Sequence, residues 1–220
     1  MIENNEFILY LIRHGQSTTN ENPDLMGQLA DTPLSDKGRQ QAALLGKRFI
    51  DQDFRFDHIF SSSYTRALDT AKISTKSKNI IVTDEIREYS AGDWTGASRS
   101  ETLTLQVKER MGAYTHCFLP PKGESLNQVE RRASAWLEDN ILYNKDIIEQ
   151  AAARKKLGLV PLNIACFSHG MTIKCLLHYI LGFDKSFTWK IDIQNTSIST
   201  VSFGKEGWRL YGVNDYSHLK

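Results

Sequence analysis

Two short apolar runs, far apart in the chain, stop in the same way. FILYLI (7–12) runs into Arg13-His14-Gly15, and NIACF (163–167) runs into Ser168-His169-Gly170. Runs of this length, apolar at successive positions and rich in Ile, Leu and Phe, read as strands buried on both faces. That is the habit of parallel strands within an α/β sheet. Such strands need helices above and below them, and the intervening sequence offers several. Within residues 32–52, Ser35 is an N-cap, followed by Gln41, Ala42, Leu45 and Phe49 at helical spacing. A helix over 63–74 would gather Ala67, Ala71 and Ser74 on one side. Ser125-x-x-Gln128 resembles a capping box and opens a helix that turns Val129, Ala133, Trp136, Leu137 and Ile141 inward. Two further helices, 146–158 and 171–182, end on Gly158 and Gly182.

FDHIF (56–60) and NIIVTDEI (79–86) read as strands between these helices. TSISTVSF (196–203) and GWRLYGV (207–213), joined by Gly204-Lys205-Glu206, read as a hairpin. Residues 87–100 and 120–125 are loop-like, and a helix is expected over 99–116. The alternation predicts an α/β fold, a three-layer sandwich whose mostly parallel central sheet is flanked by helices. With 220 residues, 40% of them hydrophobic, the chain can bury one sizeable core. No repeat, low-complexity tract or long linker divides it, so residues 1–220 are expected to form a single domain. Residues 93–124 read as an insertion that lies over the sheet and covers the active site.

The bulk numbers narrow the function. Lys and Arg number 27 against 26 Asp and Glu, a net charge of +1. This argues against nucleic acid or membrane surfaces as partners held by bulk charge, while leaving room for a local cationic pocket. No apolar stretch approaches the roughly 20 residues needed to span a bilayer. MIENNEF lacks the basic-then-apolar pattern of a signal peptide. Cys117, Cys166 and Cys175 are odd in number and form no CxxC or Cys/His spacing, which suits a reducing, cytoplasmic setting.

Ligands of open α/β sheets bind at the carboxyl ends of the strands. If the strands ending at Arg13-His14, at Ser61-Ser62 and at His169 are neighbours, then Arg13, His14, Arg66 and His169 converge. Two guanidiniums suit bidentate binding of phosphate, and the helix opening after Gly170 would aim free N–H groups at the same place. A histidine among cations should have a depressed pKa, leaving a neutral, nucleophilic imidazole whose tautomer a backbone carbonyl would hold. Phosphoryl transfer then needs a proton donor for the leaving oxygen. Glu88 in REYSAGDWTG is the first candidate, with Glu85 and Asp93 as alternatives if the loop bends differently.

These motifs occur together in one known group. The chain resembles the histidine phosphatase superfamily, in the branch shared with cofactor-dependent phosphoglycerate mutases. The likeness rests on Arg13-His14-Gly15-Gln16-Ser17 with Asn20, and on Leu34-Ser35-x-Lys37-Gly38-x-x-Gln41-Ala42. It continues through Ser61-Ser62-x-x-x-Arg66-Ala67-x-x-Thr70-Ala71 and Glu88-x-x-x-Gly92-x-Trp94-x-Gly96. Gly123-Glu124-Ser125 and Ser168-His169-Gly170 complete it. The resemblance implies a phosphoglycerate mutase-like fold and a phosphohistidine formed on His14. It implies that Arg13, Arg66 and His169 hold the phosphoryl oxygens and that Asn20 adds a donor. Glu88 would protonate the leaving alcohol and then deprotonate the attacking water. Gly27 and Gly170 fall where the family brings backbone close to substrate, and no metal or other cofactor is implied.

The chain departs from the family's common residues at Gln16 for Glu, Thr19 for Trp, Ser63 for Asp, Thr95 for Glu and Met171 for a small residue. His58, His116, His178 and His218 read as structural or solvated. Trp94 either shapes the pocket or pins its loop. Tyr89 and the charges of 107–110 are substrate contacts or a solvated face, and Lys122 is a loop residue. The leading expectation is a metal-independent phosphomonoesterase acting on a small phosphorylated metabolite. A phosphoglycerate mutase is the alternative within the family. It is disfavoured by the Gly-x-Trp-x-Gly ending and by a short insertion without an Arg-rich stretch. A non-catalytic phosphate-binding protein is disfavoured because each catalytic position is competently filled. The acid-phosphatase branch is disfavoured because Gly170 stands where that branch has Asp.

Overall fold

Seven-residue alternation sets the centre of the molecule. The computed structural model describes residues 6–27, 29 and 32–220. Strand β1 (Phe7–Arg13) points Phe7, Leu9 and Leu11 into one apolar cluster and Ile12 into another. Both faces are thus buried, as the continuous apolar run requires. After it come helix α1 (Asp36–Asp51), strand β2 (His58–Ser62), helix α2 (Thr65–Thr75) and strand β3 (Ile81–Thr83). Helices α3 (Arg99–Thr102), α4 (Leu105–Tyr114), α5 (Leu126–Leu137) and α6 (Lys145–Lys156) follow. Strand β4 (Leu162–Ser168), helix α7 (Gly170–Leu181) and the antiparallel pair β5 (Ile198–Gly204) and β6 (Gly207–Asp215) end the chain.

The sheet order is β3-β2-β4-β1-β5-β6. The pairs β1–β4, β2–β4 and β2–β3 are parallel, whereas β1–β5 and β5–β6 are antiparallel. The sheet is therefore mixed, because the terminal hairpin adds its two strands beside β1. Leu45 and Phe49 of α1 and Ala71 of α2 pack with Ile12, Ile59 and Phe167 on one face. Trp136 and Leu137 of α5, Ala151 of α6 and Leu176 of α7 pack with Leu9, Leu11, Ile164 and Cys166 on the other. The result is the three-layer α/β sandwich that the alternation predicts.

Most helix ends follow their caps. Ser35 accepts from Gly38 N–H, Ser125 and Gln128 form both halves of a capping box, and Gly182 closes α7 in the left-handed region at φ 63°. Two expectations change. The strand predicted over 79–86 pairs only through Ile81–Thr83, an edge position where Ile81 and Val82 stay exposed. The helix predicted over 99–116 is divided into α3 and α4, because Ser98 and Thr104 each cap a separate helix start. No described helix is long and apolar enough to cross a membrane.

Candidate active site

The register of β1 on β4 brings the two histidines together. The strands pair residue for residue up to Arg13 opposite Ser168, so the next residue of each is a histidine. His14 N–H donates to Ser168 O at 3.0 Å, and the two imidazole centroids lie 5.0 Å apart. Neighbouring strand ends with matching His-Gly sequences thus produce a paired site from residues 155 positions apart in the chain.

The backbone around His14 is held from α1 and α2. Gly15 N–H donates to Thr70 Oγ1 at 2.9 Å, and Ser35 N–H to Gln16 O at 2.9 Å. A Cβ on Gly38 would stand 1.9 Å from Gln16 O, so only glycine lets the first turn of α1 approach this closely. His14 Nδ1 lies 2.6 Å from Gly15 O. A carbonyl can only accept, so Nδ1 carries the proton and Nε2 keeps its lone pair. His14 and His169 are both fully buried, and each pKa is held well below the ordinary 6.5. Burial is the larger cause, followed by the charges of Arg66 and Arg13 for His14 and by those groups with His14 for His169. The cations act in the expected direction, but desolvation outweighs them.

Arg66 opens α2 and is itself fully buried. Burial brings its pKa down to about 10, against opposing help from Glu88 and Tyr64. One of its N–H groups donates to Leu29 O at 2.9 Å, and its guanidinium sits 4.8 Å from the Tyr64 ring centre. Arg13 donates to Ile193 O at 2.5 Å, and burial lowers its pKa while Glu88 raises it. Five buried nitrogens of this group make no hydrogen bond among the described residues: Arg13 Nε, His14 Nε2, Arg66 Nε, one Arg66 Nη and His169 Nδ1. Such groups are costly to leave without an acceptor, and four of the five belong to a guanidinium or to the second histidine. An oxyanion with several acceptor oxygens answers that set.

Glu88 lies on the wall of a cavity of about 350 Å³ that Arg13, Asn20 and Gly27 also line. Its carboxylate accepts from Met171 N–H and Thr172 N–H, each at 3.3 Å, and from its neighbour Tyr89 N–H at 3.0 Å. The opening N–H groups of α7 are therefore directed to Glu88, correcting the expectation that they point at the ligand itself. The other candidate acids lie elsewhere: exposed Glu85 bonds Thr83, and Asp93 pairs with Lys122 at 3.3 Å. Asn20 Oδ1 accepts from Ser17 N–H at 3.2 Å. Gly27 holds φ at 62°, in the left-handed region. Gly170 backs the Arg13 side chain, 3.5 Å from a Cβ position to Arg13 Nε, and is not on the cavity wall.

One feature differs from an open crevice. His14, Arg66 and His169 are not on the cavity wall; Arg66 is bonded to the Leu29 carbonyl, and Arg66 and His169 both pack against the Tyr64 ring. Several supporting residues escaped the sequence reading. Ser62 Oγ is 2.9 Å from His169 Nε2, and Asn195 donates to His14 O at 3.0 Å. Arg132 donates to Glu85 O, Arg87 O and Glu88 O while pairing with Glu124 at 2.8 Å. Ser62 belongs to a quoted motif, whereas Arg132 and Asn195 carry no local signal. Trp94 lines the cavity and stacks on Phe118 at 5.7 Å. His58, His116 and His218 bond Gln150, Thr188 and Thr196, and His178 pairs with Glu130. Among the described residues, no group of three or more His, Cys, Asp or Glu side chains is arranged to hold a metal ion.

Known proteins resemble this chain along nearly its whole length. Residues 9–216 match the histidine phosphatase superfamily (branch 1). A Yersinia pestis (strain Pestoides F) protein named "Probable phosphoglycerate mutase GpmB" is 31% identical over 221 residues, covering 96% of this chain and 94% of that one. A mutant phosphoserine phosphatase from Entamoeba histolytica, solved with phosphoserine, superposes with a TM-score of 0.78 at 25% identity. It covers 97% of this chain and 100% of its own. A phosphoglycerate mutase from Bacillus anthracis shares the fold, with a TM-score of 0.72 at 24% identity over 99% and 97% of the two chains.

Proposed function

The chain belongs to the histidine phosphatase superfamily, and from that premise we propose that it is a phosphomonoesterase working through a phosphohistidine on His14, with no metal in the reaction. The observation that carries this reading is the set of four buried nitrogens, without a hydrogen-bond partner among the described residues, around the free Nε2 of a neutral imidazole. His14 Nε2 attacks phosphorus in line, and the bond from phosphorus to the ester oxygen breaks. Arg13, Arg66 and His169 donate to the three equatorial oxygens, where charge spreads in the transition state. When Ser62 donates to His169 Nε2, the His169 proton sits on Nδ1 as a further donor. Asn20, whose Oδ1 is already used, offers its amide N–H at the cavity wall.

Glu88 delivers its proton to the departing alkoxide, giving a neutral alcohol. It then takes a proton from the water that attacks the phosphohistidine, restoring His14 and releasing inorganic phosphate. Across the cycle one water is consumed, and one alcohol and one phosphate leave. The likeness to a phosphoserine phosphatase solved with phosphoserine supports a small phosphate ester as substrate, and the free cysteines Cys117, Cys166 and Cys175 support a reducing, cytoplasmic setting. Residues 93–124 serve as the cover of this site, since Trp94, Arg99, Leu103, Met111, Thr115 and Phe118 line the cavity with Glu88.

Phosphate release from a panel of monoesters is the test, paired with a His14→Ala variant. The wild type should release phosphate and acquire acid-labile phosphate on nitrogen, and the variant should lose essentially all of both. A wild type that never labels would defeat the reading. A second reading, phosphoglycerate mutase, is favoured by the name of the 31%-identical relative. Isomerisation that depends on a bisphosphoglycerate primer and outruns hydrolysis would establish it instead.

A further inference from the structure

We propose that the ester this site takes carries a bulky apolar alcohol, of the aryl or medium-chain alkyl class. The inference rests on the phosphate-accepting role of His14 argued above and adds the nature of the leaving group. The cavity beside Glu88 measures about 350 Å³. That lies within the roughly 300–1,000 Å³ of sites that enclose small organic ligands. Its walls come from Met26 after β1, from Trp94, Leu103, Met111 and Phe118 of the 93–124 segment, and from Met171 at the opening of α7. The Trp94 and Phe118 rings stack on each other at 28° and 5.7 Å, and both belong to the cavity wall. Methionine side chains adapt to irregular apolar shapes, and three of them surround this space. Met171 stands where the resemblance leads one to expect a small residue, so this wall belongs to the chain rather than to the pattern it shares.

Charge points the same way. Among the described residues that line the cavity, the cations are Arg13 and Arg99. Arg13 is engaged by Ile193 O and by the charge of Glu88. Arg99 is exposed, and the nearby Asp24 carboxyl is held low chiefly by Ser98 and Ser100 hydrogen bonds, with the Arg99 charge the least of the causes. A carboxylate or second phosphate placed against the methionine and aromatic wall would lose its hydration against thioethers and aromatic rings.

Straight-chain alkyl phosphates from ethyl to hexyl test this, because their leaving-group basicity barely changes while the buried surface grows. Phosphate release should show kcat/KM rising about threefold to fourfold per methylene, the transfer free energy of a buried CH₂ expressed as a rate ratio. Hexyl and naphthyl phosphates should exceed O-phosphoserine and 3-phosphoglycerate by more than about tenfold. Met111→Lys, which adds a cation to the wall, should flatten the chain-length series and raise the relative rate on 3-phosphoglycerate. A flat series in the wild type, or a preference for 3-phosphoglycerate, with hydrolysis intact, overturns this inference and leaves the phosphomonoesterase reading standing. Failure to release phosphate from any ester would defeat that reading and this inference with it.

Discussion

Replacing Glu88 with Gln keeps the size of the side chain and removes its proton. The loss of a general acid costs typically about 10²–10⁴-fold when the leaving group needs protonation. Alkyl phosphates should therefore lose kcat by that order in Glu88→Gln, while 4-nitrophenyl phosphate, whose leaving group departs as a stable anion, should lose far less. Equal losses on both substrates would mean that Glu88 acts only by shaping the loop. The two site histidines make a second prediction through stability. Their pKa values lie well below the ordinary 6.5 in the fold, so between those values and 6.5 the unfolded chain binds protons that the folded chain does not. Stability is fully present above about pH 6.5 and falls as pH drops toward the folded values. His218, brought down to about 4 mainly by burial, acts in the same direction over the same window. Urea denaturation at about pH 7.5 and about pH 5 should give a lower unfolding free energy at the acid value, and His169→Gln should reduce the difference. A pH-independent midpoint would contradict the neutral, buried imidazoles. The convergence of Arg13, His14, Arg66 and His169 was legible because each adjoins a strand end or lies in the first turn of a helix after one, whereas Glu88 stands in a loop five residues beyond β3. Ser62 escaped because its partner lies 107 residues away, a contact that only β4 lying beside β2 creates.

At the scale of elements, the loop after β3 carries Glu88, and one arginine on α5 holds that loop. Arg132 spends its guanidinium on Glu85 O, Arg87 O, Glu88 O and both oxygens of Glu124. Glu124 in turn accepts from Ser90 N–H at 3.0 Å, closing the clamp beyond Glu88. Burial pushes the Glu124 carboxyl up, but the Arg132 hydrogen bond and charge overcome it and hold it below its ordinary value. Arg132→Met should destabilise the protein by about 1–3 kcal/mol, the cost of leaving such partners unmet. It should also lower kcat more than it raises KM, because it frees the acid rather than the phosphate site. Arg132→Lys should restore little, since an ammonium cannot reproduce the planar fork. An unchanged kcat in both variants would remove Arg132 from any positioning role. Element boundaries were legible where a cap or a glycine marks them, as at Ser35, Ser125 and Gly182. They were misread where pairing decides: Ile80 and Asp84 flank β3 with suitable composition, yet a three-residue edge ladder is all that β2 supports. The N–H groups of α7 were assigned to the wrong acceptor because sequence does not reveal that Glu88 folds back onto Thr172.

Across the whole molecule, the phosphate site is a product of topology. From β1 the chain crosses toward β2, on the far side of β4, and from β4 it crosses the other way, toward β5. Their loops therefore part above the β1–β4 pair, which is where open α/β sheets place their ligands. The parallel half of the sheet and the helical layers could be read from the alternation of strands and helices. The sheet order could not, because it is set by which strand buries which face and not by any local pattern. A site assembled from β1, the start of α2 and the junction of β4 with α7 exists only when all of them are docked. A ligand that bridges Arg13, Arg66 and His169 therefore binds the folded chain and not the unfolded one, and it stabilises the entire fold. At phosphate or vanadate concentrations about 100-fold above Kd, the gain is about 2.7 kcal/mol. For a domain of this size that corresponds to a rise in Tm of roughly 5–10 °C. Arg66→Met should lose most of this rise while remaining folded, since the aliphatic part of the side chain still fills the space beneath Tyr64. Thermal melts in phosphate against sodium chloride of equal ionic strength separate specific binding from screening. If both salts shift the wild-type Tm equally, the buried nitrogens do not form an oxyanion site, and the chemistry assigned to His14 loses its foundation.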